Sequence, residues 1–156
     1  MVTDKQIKIA QGSVDDIARC VAMAKIMGSH KEDGYFDYSF QQQSEGTRQV
    51  FIASLDGVDV GYCMLAWLPK YRFYQVMDIP EIQDLNVLPD YRRRGYARAM
   101  IAYCEDCARA GGKSQIGIGV GMDASYGDAQ RLYVCLGYVP DGNGVTYDRQ
   151  VVPYGT

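Results

Sequence analysis

The segment Leu85-Asn86-Val87-Leu88-Pro89-Asp90-Tyr91-Arg92-Arg93-Arg94-Gly95-Tyr96-Ala97-Arg98-Ala99-Met100 constrains the fold most. It joins a strand, a tight turn and a helix whose start lacks bulk at Gly95 and Ala97. Backbone N–H groups at positions 93 to 97 have no partner inside such a helix, and they point the same way as the positive end of the helix dipole. An anion, above all a phosphate group, completes them. Gly95 and Ala97 keep the backbone approachable, while Arg92, Arg93 and Arg94 add charge and forked donors suited to phosphate oxygens.

The rest of the chain fits one domain spanning residues 1–156, long enough to bury a core without staples. Apolar residues make up 47% and charged residues 22%, as in a water-soluble globular protein, and no apolar run approaches the ~20 residues needed to span a bilayer. The N-terminus lacks a signal-peptide apolar stretch, so a cytoplasmic location is expected. A net charge of -3 gives no reason to expect nucleic acid or anionic lipid as a partner. Five scattered cysteines do not form a disulfide framework. Cys104 and Cys107 read as small residues on the buried face of a helix, and the single histidine, His30, argues against a His-dependent metal site; no metal is expected.

The apolar period switches repeatedly along the chain. Lys5 to Ile9 reads as strand one, with Ile7 and Ile9 inward. Ser13 with Asp16 opens a helix carrying Val14, Ile17, Ala18, Val21 and Ala24 at helical spacing. Residues 28–46 are polar and aromatic, with room for a short irregular helix. Phe51 to Leu55 and Val58 to Trp67 are strands joined by Asp56-Gly57, a combination that favours a type I′ hairpin. An aromatic linker, Pro69 to Met77, precedes strand four, Glu81 to Val87. The next helix places Ala97, Met100, Ile101, Cys104, Cys107 and Ala108 on one face and stops at Gly111-Gly112. Gln115 to Val120 makes strand five, and Asp128 starts a helix with Ala129, Leu132, Tyr133 and Leu136 inward. Tyr138 and Val145 to Val152 supply the last strands. The order predicts an α/β fold, a mixed sheet with helices on both faces.

Two phosphate-loop look-alikes fail on context. Gly112-Lys113-Ser114 resembles the end of a Walker loop, but Cys107 stands where that loop needs glycine, and here helix precedes strand. Gly117-Ile118-Gly119-Val120-Gly121 lacks the dinucleotide spacing and opens no helix. Alternating glycines in a strand instead leave one face bare, so that another backbone or a thin ligand arm can lie close.

The pattern Arg92-x-x-Gly95-x-Ala97 after a Leu-x-Val strand resembles the signature of the Gcn5-related N-acetyltransferase (GNAT) superfamily. Ala129-Gln130-Arg131-Leu132-Tyr133-Val134-Cys135-Leu136-Gly137-Tyr138 is similar to that superfamily's Ala-x-x-x-Tyr-x-x-x-Gly-Phe segment. The two motifs stand in the right order, and the element order resembles the family over nearly the whole chain. The resemblance implies a mostly antiparallel sheet of about six or seven strands flanked by about four helices, with strands four and five splayed and a bulge in strand four. It also implies that acetyl-CoA is the acyl donor. Its pyrophosphate would sit on Arg92, Arg93, Arg94, Gly95, Tyr96, Ala97 and Arg98, and its pantetheine arm along the main chain of Leu85, Asn86 and Val87. One of those N–H groups would face the thioester oxygen as charge develops there.

By the same resemblance Tyr133 is the acid that protonates the departing thiolate, and a strand-four carboxylate is the base that frees the amine's lone pair. Glu81 and Asp84 are the candidates, with Glu81 favoured. An odd separation puts them on opposite faces of a regular strand. Tyr126 stands where the family often has an Asn that helps bind the coenzyme arm, with Asp128 or a main-chain group as the substitute. Glu32, Asp33, Asp37 and Glu45, set among aromatic residues, suit a cationic acceptor, a primary amine of a small molecule or peptide. Tyr71, Phe73 and Tyr74 offer a second wall of that site or a homodimer contact. The expected activity is N-acetyl transfer by direct attack in a ternary complex. The alternatives are a non-catalytic acyl-CoA-binding regulatory module and O-acyl transfer.

Overall fold

In a computed structural model, residues 7–29, 31–120 and 126–141 are described, together with the backbone of 146–147 and 150–151. Strand β1 (Lys8–Gln11) leads through a 3₁₀ turn (Val14–Asp16) into α1 (Ile17–Ile26), then α2 (Tyr35–Ser44), β2 (Arg48–Leu55) and β3 (Val58–Ala66). There follow α3 (Arg72–Met77), β4 (Glu81–Val87), a second 3₁₀ turn (Pro89–Tyr91), α4 (Tyr96–Ala110), β5 (Gly117–Ile118) and α5 (Gly127–Cys135). The pair β6 (Thr146–Tyr147) and β7 (Gln150–Val151) forms a separate two-stranded ladder.

One five-stranded sheet in the order β1-β2-β3-β4-β5 carries the fold, antiparallel except where β4 and β5 run parallel. Alternation along the strands divides two cores. Val50, Ile52, Tyr62 and Met64 meet Cys20, Met23, Phe36 and Phe40 of α1 and α2 on one face. Phe51, Ala53, Cys63, Leu65 and Ile82 meet Met100, Ile101 and Cys104 of α4 on the other. With both faces covered, β2 and β3 read as nearly continuous apolar runs.

Local chemistry explains several boundaries. Asp56 (φ 51°) and Gly57 (φ 81°) both take the left-handed backbone of a type I′ turn, joining β2 to β3 as expected. The Ser13 side chain accepts from the Asp15 N–H and the Asp16 carboxylate from the Ser13 N–H, completing the anticipated capping box.

Elsewhere the structure corrects the pattern. Helix α1 buries Cys20, Met23 and Ala24, while Val14 and Val21 are exposed, so its inward face is rotated from the one the aliphatic residues suggested. The polar segment holds a regular ten-residue helix, α2, and the aromatic linker holds α3. Cys104 is buried but Cys107 only partly so. Strand five is paired only at Gly117 and Ile118, and Tyr138 lies outside any strand. Lys5, Gln6, His30, Gly121 and, within the expected last strands, Val145, Asp148, Arg149 and Val152 lie outside the described residues.

The register of β3 against β4 shifts by one residue. Gly61 and Tyr62 pair with Val87 and Asn86, but Met64, Leu65 and Ala66 pair with Gln83, Ile82 and Glu81. Two β4 residues, Asp84 and Leu85, therefore oppose Cys63 alone. This is a β-bulge in strand four, and its extra residue, Asp84, adopts a left-handed backbone at φ 51°. Asp tolerates that region better than most residues. Parallel pairing of β4 with β5 is confined to Glu81–Gly117 and Ile82–Ile118, below the bulge.

Gly61 is where β3 approaches the bulged strand most closely, since a Cβ there would stand 2.4 Å from the Asn86 carbonyl oxygen. Gly61→Ala is expected to destabilise the protein by about 1–3 kcal/mol, measured by urea unfolding. Burial also pushes the Cys20 thiol up to about 12 from an ordinary 9.0. The folded chain keeps that proton where the unfolded chain loses it, so the stability is full below pH ~9 and declines as pH rises towards ~12. The urea midpoint should fall across that window, and Cys20→Ala should flatten the fall.

Candidate functional site

The bulge sorts the side chains of β4 onto two faces. Leu85 and Val87 pack with the α4 core. Glu81 and Gln83 face α2, sharing cross-strand rows with Ala66 and Met64. In a regular strand Asp84 would point the other way, but the extra residue brings it to the α2 side with Asn86. Glu81, Gln83, Asp84 and Asn86 thus share one face. The expectation that Glu81 and Asp84 point apart is overturned by the bulge, which breaks the two-residue period.

On the α4 side, a cleft of about 750 Å³ opens where β4 leaves β5. Leu85, Asn86 and Val87 form one wall, and Arg92, Arg93, Gly95, Tyr96, Ala97 and Arg98 another. Arg94 departs from expectation: its guanidinium lies over the Tyr91 ring, 5.5 Å from the centroid, and does not line the cleft. Arg92 is tied to the turn itself, its Nε donating to the Val87 carbonyl at 2.9 Å.

The turn leaves its main-chain donors open. Arg93 (φ 63°) and Gly95 (φ 81°) both take left-handed backbone, folding the chain back so that α4 starts at the strand's end. The helix ladder begins with the Ala99 N–H donating to the Gly95 carbonyl at 3.1 Å, which leaves the N–H groups of Tyr96, Ala97 and Arg98 outside it. The first turn contains no acidic residue and the N-cap glycine supplies no side-chain acceptor. A bound anion is the acceptor such an end lacks.

The cleft's far wall is α5, through Asp128, Ala129, Arg131, Leu132 and Tyr133, with Tyr126 at its N-cap. Tyr133 is half-buried against the α4 core, its ring 6.2 Å from that of Tyr138. Burial raises its pKa above the ordinary phenol value, which favours the proton-bearing hydroxyl. Asp128 is engaged by Arg131 and, at 3.5 Å, by Arg93.

On the opposite face, Asp84 accepts from Lys31 Nζ at 3.0 Å, from the Tyr35 hydroxyl at 3.0 Å and from Asn86 Nδ2 at 2.8 Å. Burial, then the Asp84 charge, raises the pKa values of Tyr35 and Tyr62. Glu81 is fully buried, and its charge reaches Arg48 across the sheet. Arg48 is pulled down chiefly by burial, while it donates to Gln42 and Gln83. Neither Glu81 nor Asp84 lines that cleft. Glu32, Asp33, Asp37 and Glu45 are exposed to solvent. Lys31, Tyr35 and Arg48 gave no signal in the sequence as a group, because the β4 partners that join them, Asp84 and Gln83, are 35 to 53 residues distant.

A family model described as an acetyltransferase (GNAT) domain matches residues 46–140, more than half of the chain and all of this cleft. The chain belongs to the GNAT acetyltransferase family. No curated protein sequence matches it. Among solved structures, the ribosomal-protein-alanine N-acetyltransferase from Brucella melitensis biovar Abortus 2308 is similar in fold, at 19% identity and a TM-score of 0.72 over 91% of this chain and 98% of that one. The acetyltransferase AAC(6')-Iy, solved with a CoA-containing bisubstrate analogue, is 17% identical with a TM-score of 0.76, covering 93% and 99%. The aminoglycoside 6'-N-acetyltransferase AAC(6')-Ih from Acinetobacter baumannii is 16% identical with a TM-score of 0.74, covering 94% and 100%.

In this GNAT chain the turn offers main-chain donors and guanidinium groups together, which fits a diphosphate. Among the described residues no group of three His, Cys, Asp or Glu side chains could hold a metal, and no helix is long and apolar enough to cross a membrane. Titration with inorganic pyrophosphate should show binding by calorimetry. The double variant Arg93→Glu/Arg98→Glu should weaken it at least about tenfold, since each charge-assisted hydrogen bond contributes roughly 1.5–3 kcal/mol.

Proposed function

We propose that this protein is an N-acetyltransferase that moves the acetyl group of acetyl-CoA to a primary amine of a small molecule or peptide, by direct attack in a ternary complex. The observation that carries this reading is one cleft lined at once by the Arg92–Arg98 turn, the freed end of β4 and the phenol of Tyr133. The turn binds the diphosphate. The main chain of Leu85, Asn86 and Val87 holds the pantetheine arm as an added strand would, and an N–H of this stretch receives the thioester oxygen as it gains negative charge.

The acceptor approaches from the α2 face, where Glu81 and Asp84 stand together. An ammonium has no lone pair, so a proton first passes to a β4 carboxylate, directly or through water. The amine nitrogen then forms a bond to the thioester carbon, the carbon–sulfur bond breaks, and the thiolate takes its proton from Tyr133. The products are an N-acetyl amine and coenzyme A, with the amine's second proton lost to the base or solvent. Tyr133 suits the acid's role because burial favours its neutral, proton-bearing form.

Tyr133→Phe should cut acetyl transfer by about 10²- to 10⁴-fold while leaving coenzyme affinity nearly intact. Thiol release across a panel of amines, with calorimetry of coenzyme A, measures both. Coenzyme binding without transfer to any amine would favour a non-catalytic acyl-CoA-binding module.

A further inference from the structure

Lys31 sits in the connection between α1 and α2, outside any helix or strand, yet its ammonium is not in free solvent. Nζ donates to Asp84 Oδ1 at 3.0 Å and lies 4.7 Å from the centroid of the Tyr35 ring. The remaining Asp84 oxygen accepts from the Tyr35 hydroxyl, and Asn86 Nδ2 holds Oδ1 from the side. Only 23% of the Lys31 side chain and 14% of that of Asp84 are exposed. A carboxylate beside an aromatic face is a cation site, and the chain's own lysine fills this one.

The location gives it meaning. Asp84 is the extra residue of the bulge and precedes Leu85, which lines the coenzyme cleft on the other face. Asn86 lines that cleft too while it hydrogen-bonds Asp84. The cation site therefore backs onto the place where the acyl group would lie.

We propose that Asp84, Tyr35 and Asn86 form the seat for the acceptor's ammonium group, and that Lys31 occupies it until an acceptor takes its place. This deepens the reading of the protein as an N-acetyltransferase and rests on it. Exchange of one ammonium for another keeps Asp84 paired throughout, so the half-buried carboxylate is never left bare. The occupant also describes the ligand. Lys31 presents an unbranched primary alkylammonium, so the acceptor carries the same group, as a diamine or a lysine-like side chain does. An acceptor joined through a bulky or tertiary amine would not match the two contacts that Lys31 makes, with the Asp84 carboxylate and the Tyr35 ring.

A seat filled nine-tenths of the time by an internal competitor weakens the apparent affinity of an external one roughly tenfold. The test uses n-butylammonium as probe, with n-butanol as the uncharged control and binding read by calorimetry. Lys31→Met and Lys31→Gln should each bind n-butylammonium roughly tenfold more tightly than the parent protein, with n-butanol unaffected. Lys25→Met removes the same charge from an exposed position on α1 and should change nothing. Adding Asp84→Asn to Lys31→Met should erase the gain.

If both Lys31 variants bind n-butylammonium as the parent does, or if Lys25→Met tightens it equally, the seat is refuted. Coenzyme A titrated into the parent protein separates the two ideas. Coenzyme binding and acetyl transfer with no change at Lys31 refute the seat alone, whereas a protein that binds no coenzyme A refutes the transferase reading beneath it.

Discussion

One extra residue in β4 governs the geometry of everything around the site. A regular strand from Glu81 to Val87 would keep its ladder with β3 in step and alternate its side chains strictly. The bulge at Asp84 and Leu85 does neither. It turns Asp84 to the face that carries Glu81 and Gln83, and leaves Leu85 and Val87 on the α4 side. Its upper half, no longer matched to β5, becomes the wall of a cleft. The close approach of Gly61 to the Asn86 carbonyl is the cost of keeping β3 attached to a strand that bends, and a side chain at position 61 would collide with that oxygen.

The second constraint is electrostatic and local. Net charge is -3, yet the turn before α4 gathers Arg92, Arg93, Arg94 and Arg98 within a few residues of the positive end of a fifteen-residue helix. Two consecutive features keep that end open: a glycine N-cap without a side-chain acceptor, and a first turn without an acid. Helices that end in solvent are usually capped by Ser, Thr, Asp or Asn. The contrast lies within this chain, since the 3₁₀ turn leading into α1 is closed by the Ser13–Asp16 capping box. The starts of α2, α3 and α5 also lack a side-chain cap, but the open end of α4 is the one that lines the cleft with arginines around it.

How much of this was legible depended on the range of the interactions. The Asp56-Gly57 turn, the capping box, the exact span of β4 and the pairing of the two motifs across one cleft all follow from residues close in sequence or from the family resemblance. Helix α2 was hidden because its buried face is mixed, with Phe36 and Phe40 beside Ser39, whose hydroxyl bonds the Tyr35 carbonyl. Ile17 and Ala24 of α1 face the core as their spacing suggests, but the face is completed by Cys20 and Met23 while Val14, Ala18 and Val21 are exposed, so periodicity of the aliphatic residues alone sets it askew. Gly117 is bare for a different reason than expected: the Tyr74 ring fills the space a Cβ would need. The shared face of Glu81 and Asp84 could not be read by counting, because it depends on a register shift that no residue type announces.

The same shift explains why the two halves of the site need not be built separately. Asn86 belongs to both: its residue lines the cleft, and its side-chain amide donates to the carboxylate and to the carbonyl oxygen of Asp84. Those two bonds hold a left-handed residue in place, and a bulge held this way is a fixed feature and not a loose one. The cleft side and the carboxylate side of β4, the proposed donor and acceptor faces, are therefore positioned by a single short segment, 84–86. The phenol of Tyr133, whose proton-bearing form burial favours, stands across the cleft from it. The open helix end, the carboxylate face and the phenol that the proposed reaction needs converge because a strand that would otherwise alternate has one residue too many.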